Sequence, residues 1–145
     1  MKVSKKVDYG VRALMELAQH YGKGVVQSSE IARRQQIPEP YLDQLLTVLR
    51  KSGLIRSRSG PQGGHALAKP AVQITLAEVV ISLEGTIAPI SCLEMNDGCS
   101  RIGACAPRDV WQAVEKAILG VLNTISIQEL VTKQQRLERG GMYYI

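Results

Sequence analysis

The sequence predicts a mainly α fold: a winged helix-turn-helix unit with a small β-hairpin wing, followed by a long C-terminal dimerisation helix. Three observations carry that expectation. Apolar residues recur at spacings of three and four through most of the chain. Two short helical stretches separated by a Pro-containing break precede a Gly-rich hairpin with basic residues at its rim. Charge is uneven, residues 1 to 69 carrying 12 Lys and Arg against 5 Asp and Glu, residues 70 to 145 carrying 6 against 8. A basic half of this kind suits a polyanion, and nucleic acid fits better than a membrane surface because no basic amphipathic helix accompanies the charge. The chain therefore divides into a DNA-binding unit over residues 1 to 69 and a unit over residues 70 to 145 that holds a sensor loop and dimerisation helices. The two share one core.

In the first unit, Val7, Val11, Leu14, Ala18 and Tyr21 make residues 5 to 21 an amphipathic helix ending at Gly22. Ser28 or Ser29 offers an N-cap for a short helix to about Gln35. Ile37-Pro38-Glu39-Pro40 breaks it, and Pro40 is placed to open the next helix, since its missing N–H costs nothing there. That helix runs to about Ser52, with Leu42, Leu45, Leu46 and Leu49 as the buried stripe. Pro40, Gln44, Thr47 and Lys51 lie on its other face, flanked by Asp43 and Arg50. Two short helices joined by a tight break, the second polar outward, form the pattern whose second helix enters the major groove. The alternating residues 54 to 58, the turn-rich Ser59-Gly60-Pro61-Gln62-Gly63-Gly64 and His65-Ala66-Leu67 then make a hairpin. As a wing it places Arg56 and Arg58 near phosphates or a minor groove.

In the second unit, Thr75-Leu-Ala-Glu78 is a capping box opening a helix with Leu76, Val79, Val80 and Leu83 inward and Gly85 at its end. A long helix spans residues 107 to 123. Its apolar residues form two seams, Val110, Val114, Ala117 and Val121 in one, Trp111, Ile118 and Ile125 in the other. Two seams exceed what one wall of a small domain needs, so this helix is expected to pack on its own core and on a second subunit. Ser126-Ile-Gln-Glu129 caps a short last helix, and the tail from Arg136 is expected to be loosely held.

The three cysteines, Cys92, Cys99 and Cys105, lie between these helices at C-x6-C-x5-C spacing. The intervening residues are rich in Gly and polar side chains and offer little core, so three thiols on one loop point to a metal or iron–sulfur centre. An odd count with no signal segment speaks against a disulfide framework, and the lack of a CxxC pair makes structural zinc less apt. No stretch of about 18 apolar residues exists and the amino-terminal MKVSKKVDYG has no apolar core. The chain therefore reads as cytoplasmic and soluble, without a membrane partner.

Taken together, VSKKVDYGVRALMELA, IPEPYLDQLLTVLRKSGLIRSRSGPQGGHAL, ITLAEVVISLEG and the cysteine triplet followed by Trp111 resemble the IscR, NsrR and CymR family of small dimeric winged-helix transcription regulators. The resemblance covers nearly the whole chain. It implies a homodimer, a double-stranded DNA operator read by residues 40 to 52 with the wing, and a long crossing helix near residues 107 to 125. Tyr41 and Gln62 thereby join Pro40, Asp43, Gln44, Thr47, Arg50, Lys51, Arg56 and Arg58 as DNA-binding candidates. It further implies that Cys92, Cys99 and Cys105 hold a [2Fe-2S] or [4Fe-4S] cluster. IscR-like members place a fourth ligand, a His, three residues beyond the third cysteine. Here Arg108 stands there, and its permanently charged guanidinium would repel iron and offset the negative charge of a thiolate-bound cluster. NsrR-like members use an N-terminal Asp from the opposite subunit, and Asp8 occupies the matching place. His20 and His65 are the other candidates, each read as structural, one ending a helix and one in the wing.

The function expected is that of a DNA-binding regulator sensing iron–sulfur status, redox state or nitric oxide. A thiol- or zinc-based regulator without a cluster is the neighbouring possibility. A cysteine enzyme or iron–sulfur carrier belongs to another class and leaves the basic reader and wing unexplained.

Overall fold

Ser4 begins the fold. The computed structural model describes residues 2–94, 101 and 103–142. The Ser4 Oγ accepts from Val7 N at 3.4 Å and so caps α1 (Lys5–Gln19). This helix stops two residues before the expected end, because His20 leaves helical geometry with its Nδ1 2.9 Å from Glu16 O. Gly22 and Gly24, both at positive φ, carry the chain round. The second helix, α2 (Ser28–Gln35), has Gln27 as N-cap rather than Ser28 or Ser29. Gln27 makes no cap bond; its amide donates to Pro61 O in the wing instead, at 3.4 Å.

Gln36 turns the chain between α2 and the third helix, α3 (Glu39–Lys51), in the left-handed conformation at φ 55. Ile37 N then donates to Ala32 O at 3.0 Å, and the buried Ile37 pins the turn to the core. Leu42, Leu45, Leu46 and Leu49 are buried as expected, each such side chain contributing about 1.5 to 3 kcal/mol.

The hairpin pairs β1 (Ile55–Arg58) with β2 (Gly64–Leu67), antiparallel, with Ile55 opposite Leu67 and Ser57 opposite His65. Ile55 and Leu67 point into the core; Arg56, Ser57 and Arg58 are exposed.

After a 3₁₀ turn (Ala71–Gln73), α4 (Leu76–Glu84) is capped by Thr75, whose Oγ1 accepts from Glu78 N at 3.2 Å. Ala77, Val79 and Leu83 are its buried residues, whereas the expected Leu76 and Val80 are only half-buried. A second 3₁₀ turn (Ser91–Leu93) precedes α5 (Ala106–Asn123), none of whose residues is buried. The last helix, α6 (Ile127–Met142), is capped by Ser126, whose Oγ accepts from Glu129 N at 3.1 Å. It is not short: it continues through Arg136 and Gly140, where a loose tail was expected. The two capping boxes lie side by side, because Leu76 N donates to Ile125 O and Ile127 N to Ile74 O. Ile127 and Val131 of α6 enter the same hydrophobic cluster as Val7, Leu14 and Leu17 of α1 and Val79 and Leu83 of α4.

Candidate functional site

The exposed face of α3 is built by its buried one. With four leucines fixed inward, Pro40, Asp43, Gln44, Thr47, Arg50 and Lys51 are all exposed. Arg50 and Lys51 occupy the last turn, where cations also suit the helix dipole. Thr47 Oγ1 donates to Asp43 O at 2.9 Å, so its methyl is the group left to meet a ligand. Tyr41 is half-buried and packs edge-on against Tyr9, ring centroids 5.7 Å apart. Its position is tied to α1, unlike the freely exposed residues beside it.

Two side chains that sequence reasoning passed over, and a third that it read as structural, position this reader. Glu16, only 7% exposed, accepts from Gln35 Nε2 at 2.8 Å and lies 3.5 Å from Arg34, joining α1 to α2. Gln27 ties the start of α2 to the wing turn. His65 is the third: its backbone exchanges two 2.8 Å hydrogen bonds with Val26, and its Nδ1 lies 2.7 Å from Ser57 Oγ. Burial holds the His65 imidazole below the usual 6.5, Asp43 opposing that shift and Arg50 adding to it. A glutamate on a helix and a glutamine in a loop carry no local sequence signal for these roles; only the assembled helices bring their partners within reach.

Gly64 explains how closely the wing sits. A Cβ built there would lie 2.6 Å from Val26 O, so any larger residue pushes the hairpin off the segment before α2. Arg56, Arg58 and the turn residue Gln62 are exposed along the wing. Reader helix and wing thus form one basic surface held on a common frame.

Of the cysteine triplet, Cys92 sits in the 3₁₀ turn Ser91–Leu93 and Cys105 is the N-cap of α5; Cys99 lies outside the described residues. Both described cysteines are free and half-buried. The 3₁₀ turn packs against α5, which places the two thiol-bearing elements together. Among the described residues no three His, Cys, Asp or Glu side chains gather into a metal-binding group. The local chemistry nevertheless suits an anionic, thiolate-bound centre. Cys105 makes no side-chain cap bond, and Arg108 Nε is fully buried without a hydrogen-bond partner among the described residues. Asp8, on α1, is half-exposed and pairs with Arg12 Nε at 3.3 Å. His20 caps its own helix and His65 braces the wing.

The family described as Rrf2, iron-dependent transcriptional regulator, matches residues 3–133. The chain belongs to the Rrf2 family. It is 39% identical over 131 residues to protein rrf2 of Nitratidesulfovibrio vulgaris, spanning 90% of this chain and 87% of that one. The structure of T. potens IscR resembles it with a TM-score of 0.73 at 37% identity, covering 99% of this chain and 97% of the other. CymR, the global cysteine regulator of B. subtilis, gives 0.75 at 30% identity over 92% and 98%. Rrf2 membership makes this chain a DNA-binding transcription regulator of winged-helix fold. IscR and CymR match it about equally well in shape. Among the described residues no helix is long and apolar enough to cross a membrane.

Proposed function

We propose that this Rrf2-family regulator works as a homodimer whose hold on its operator is set by a [2Fe-2S] or [4Fe-4S] cluster bound by Cys92, Cys99 and Cys105. Asp8 of the partner subunit is the proposed fourth ligand. The observation carrying this reading is the placement of two free, half-buried thiols on packed elements at the foot of α5, a helix with no buried residue. When bound, the cluster supplies a centre sensitive to redox state and nitric oxide, with a potential governed by its ligands and their hydrogen bonds.

The chain's own residues would relay that state. Cys92 follows α4, which packs on both α1 and α3, and Cys105 is the N-cap residue of α5. Drawing the two thiolates to one centre therefore sets the angle between the reader unit and the dimer helix. In a two-fold dimer that angle fixes the separation of two α3 helices, which must match half-sites about 34 to 36 Å apart. Releasing the thiolates spoils the match. Asp8 would have to leave Arg12 to serve as ligand. An exposed ion pair of this kind is worth about 0 to 1 kcal/mol, so the exchange is inexpensive.

The test is anaerobic purification followed by visible spectra and titration onto operator DNA. Cys92→Ala, Cys99→Ala and Cys105→Ala should each bleach the cluster absorbance and alter operator affinity while the dimer stays folded. Asp8→Ala should shift the spectrum and hasten decay in air. A triple cysteine variant that regulates DNA like the wild type would remove the sensing role. A thiol-based sensor without a cluster is the second reading, favoured by the half-exposure of both free thiols. It predicts colourless protein whose operator affinity changes with peroxide.

A further inference from the structure

Arg108 is the residue at this site that ligand chemistry does not explain. Counting from the N-cap Cys105, Ala106, Pro107 and Arg108 are the first three residues of α5. The third residue of a helix is the one whose side chain reaches back to the N-cap, as Glu or Gln does in a capping box. Arg108 has no acceptor atom to offer there; it has only donors. Its Nε is buried and has no hydrogen-bond partner among the described residues, and the neighbouring Cys105 side chain makes no cap bond. A buried guanidinium nitrogen left without an acceptor is costly, because it loses its hydration and gains no bond in return. The buried Nε donor and the Cys105 thiol therefore belong to one helical turn. Pro107 adds to the asymmetry, since it removes one of the backbone N–H groups that could otherwise face an anion at this end of α5.

We propose that Arg108 donates its Nε–H to a sulfur of the thiolate-bound cluster, that of Cys105 or an inorganic sulfide beside it, and so raises the cluster's reduction potential. The inference rests on the cluster reading above. Arg108 acts as a positioning and charge-compensating residue, not as a ligand. One electron entering the cluster adds one negative charge beside a fixed cation and its hydrogen bond, so the reduced state gains more than the oxidised state. The same bond gives the buried Nε an acceptor and holds the first turn of α5 against the centre.

The experiment compares reconstituted wild type, Arg108→Met and Arg108→Lys by iron and sulfide content and by anaerobic spectroelectrochemical titration with dithionite as the electron source. Arg108→Met should keep the cluster but bind the electron about tenfold more weakly, a fall of about 59 mV for a one-electron couple. Arg108→Lys, which keeps the charge but not the planar donor, should fall between the two. An unchanged midpoint in Arg108→Met at equal cluster content overturns the inference and leaves the cluster reading standing. If Arg108→Met holds no cluster, Arg108→Lys is read in its place, a lowered midpoint supporting the proposal and an unaltered one overturning it. Loss of the cluster from both variants overturns it in favour of a purely structural role. A wild type that takes up neither iron nor sulfide overturns the cluster reading and this inference together.

Discussion

Gln44 and Thr47 stand one turn apart on the exposed face of α3 and are suited to different base edges. Gln can make two hydrogen bonds to adenine, and a threonine methyl can meet that of thymine. Gln44→Ala should cost about 1 to 3 kcal/mol at one operator position and little on random DNA. Competition binding against operator variants checks it, and equal losses on both DNAs would show that Gln44 reads no base. His65 makes a pH prediction. Its folded pKa lies below 6.5, so the folded protein binds its proton less readily than the unfolded chain. The stability owed to the neutral ring is fully present above about pH 6.5 and is lost as the pH falls below that value, the loss levelling off once the folded pKa has been passed. Melting temperatures between pH 7.5 and 5.5 should therefore fall, and His65→Gln should flatten the fall.

At the scale of elements, the wing and the turn before α3 carry the geometry. The wing is held by the Val26–His65 backbone pair, the Gln27 bond and the close approach of Gly64 to Val26. Gly64→Ala should destabilise the protein by about 1 to 3 kcal/mol, as overpacking does, and weaken binding to all DNA. Arg56→Ala and Arg58→Ala should instead leave the fold intact and reduce the salt slope of binding by about one unit or less each. Salt titrations separate the two behaviours. Gln36 sits in a left-handed conformation that costs a non-glycine residue about 1 to 2 kcal/mol. Gln36→Gly should accordingly raise the melting temperature of the free protein, and an unchanged or lowered value would show that the turn carries no strain.

At the scale of the whole molecule, α5 packs on α4 yet buries none of its residues. Val110, Trp111 and Val121 are 58%, 42% and 60% exposed, and no residue of α5 is buried. In the homodimer proposed above, such a helix is the expected seat of the second copy. Val121→Glu should leave the monomer's fold and melting cooperativity intact, since the position lies outside the core, while sedimentation detects monomer and operator affinity collapses. A variant that sediments as a dimer would place the interface elsewhere.

Much of this was legible along the chain because the signals are local. The four leucines of α3 bury as their spacing requires, the Thr75 and Ser126 boxes cap the helices they precede, and the turn-rich hairpin pairs where its composition breaks. The cysteine spacing and the basic first half are likewise written in sequence. Tertiary structure decided what depends on a distant partner. It made Gln27 a wing brace instead of leaving the cap to a serine, because Pro61 came within reach. It drew Glu16 into a buried pairing with α2 and extended α6 beyond its apolar pattern by packing it on α1. It also left α5 without a buried residue and, among the described residues, Arg108 Nε without an acceptor, two features that periodicity alone cannot register. The division follows from the range of the forces: propensity and capping act within a turn, whereas burial and polar satisfaction depend on which surfaces the fold brings together.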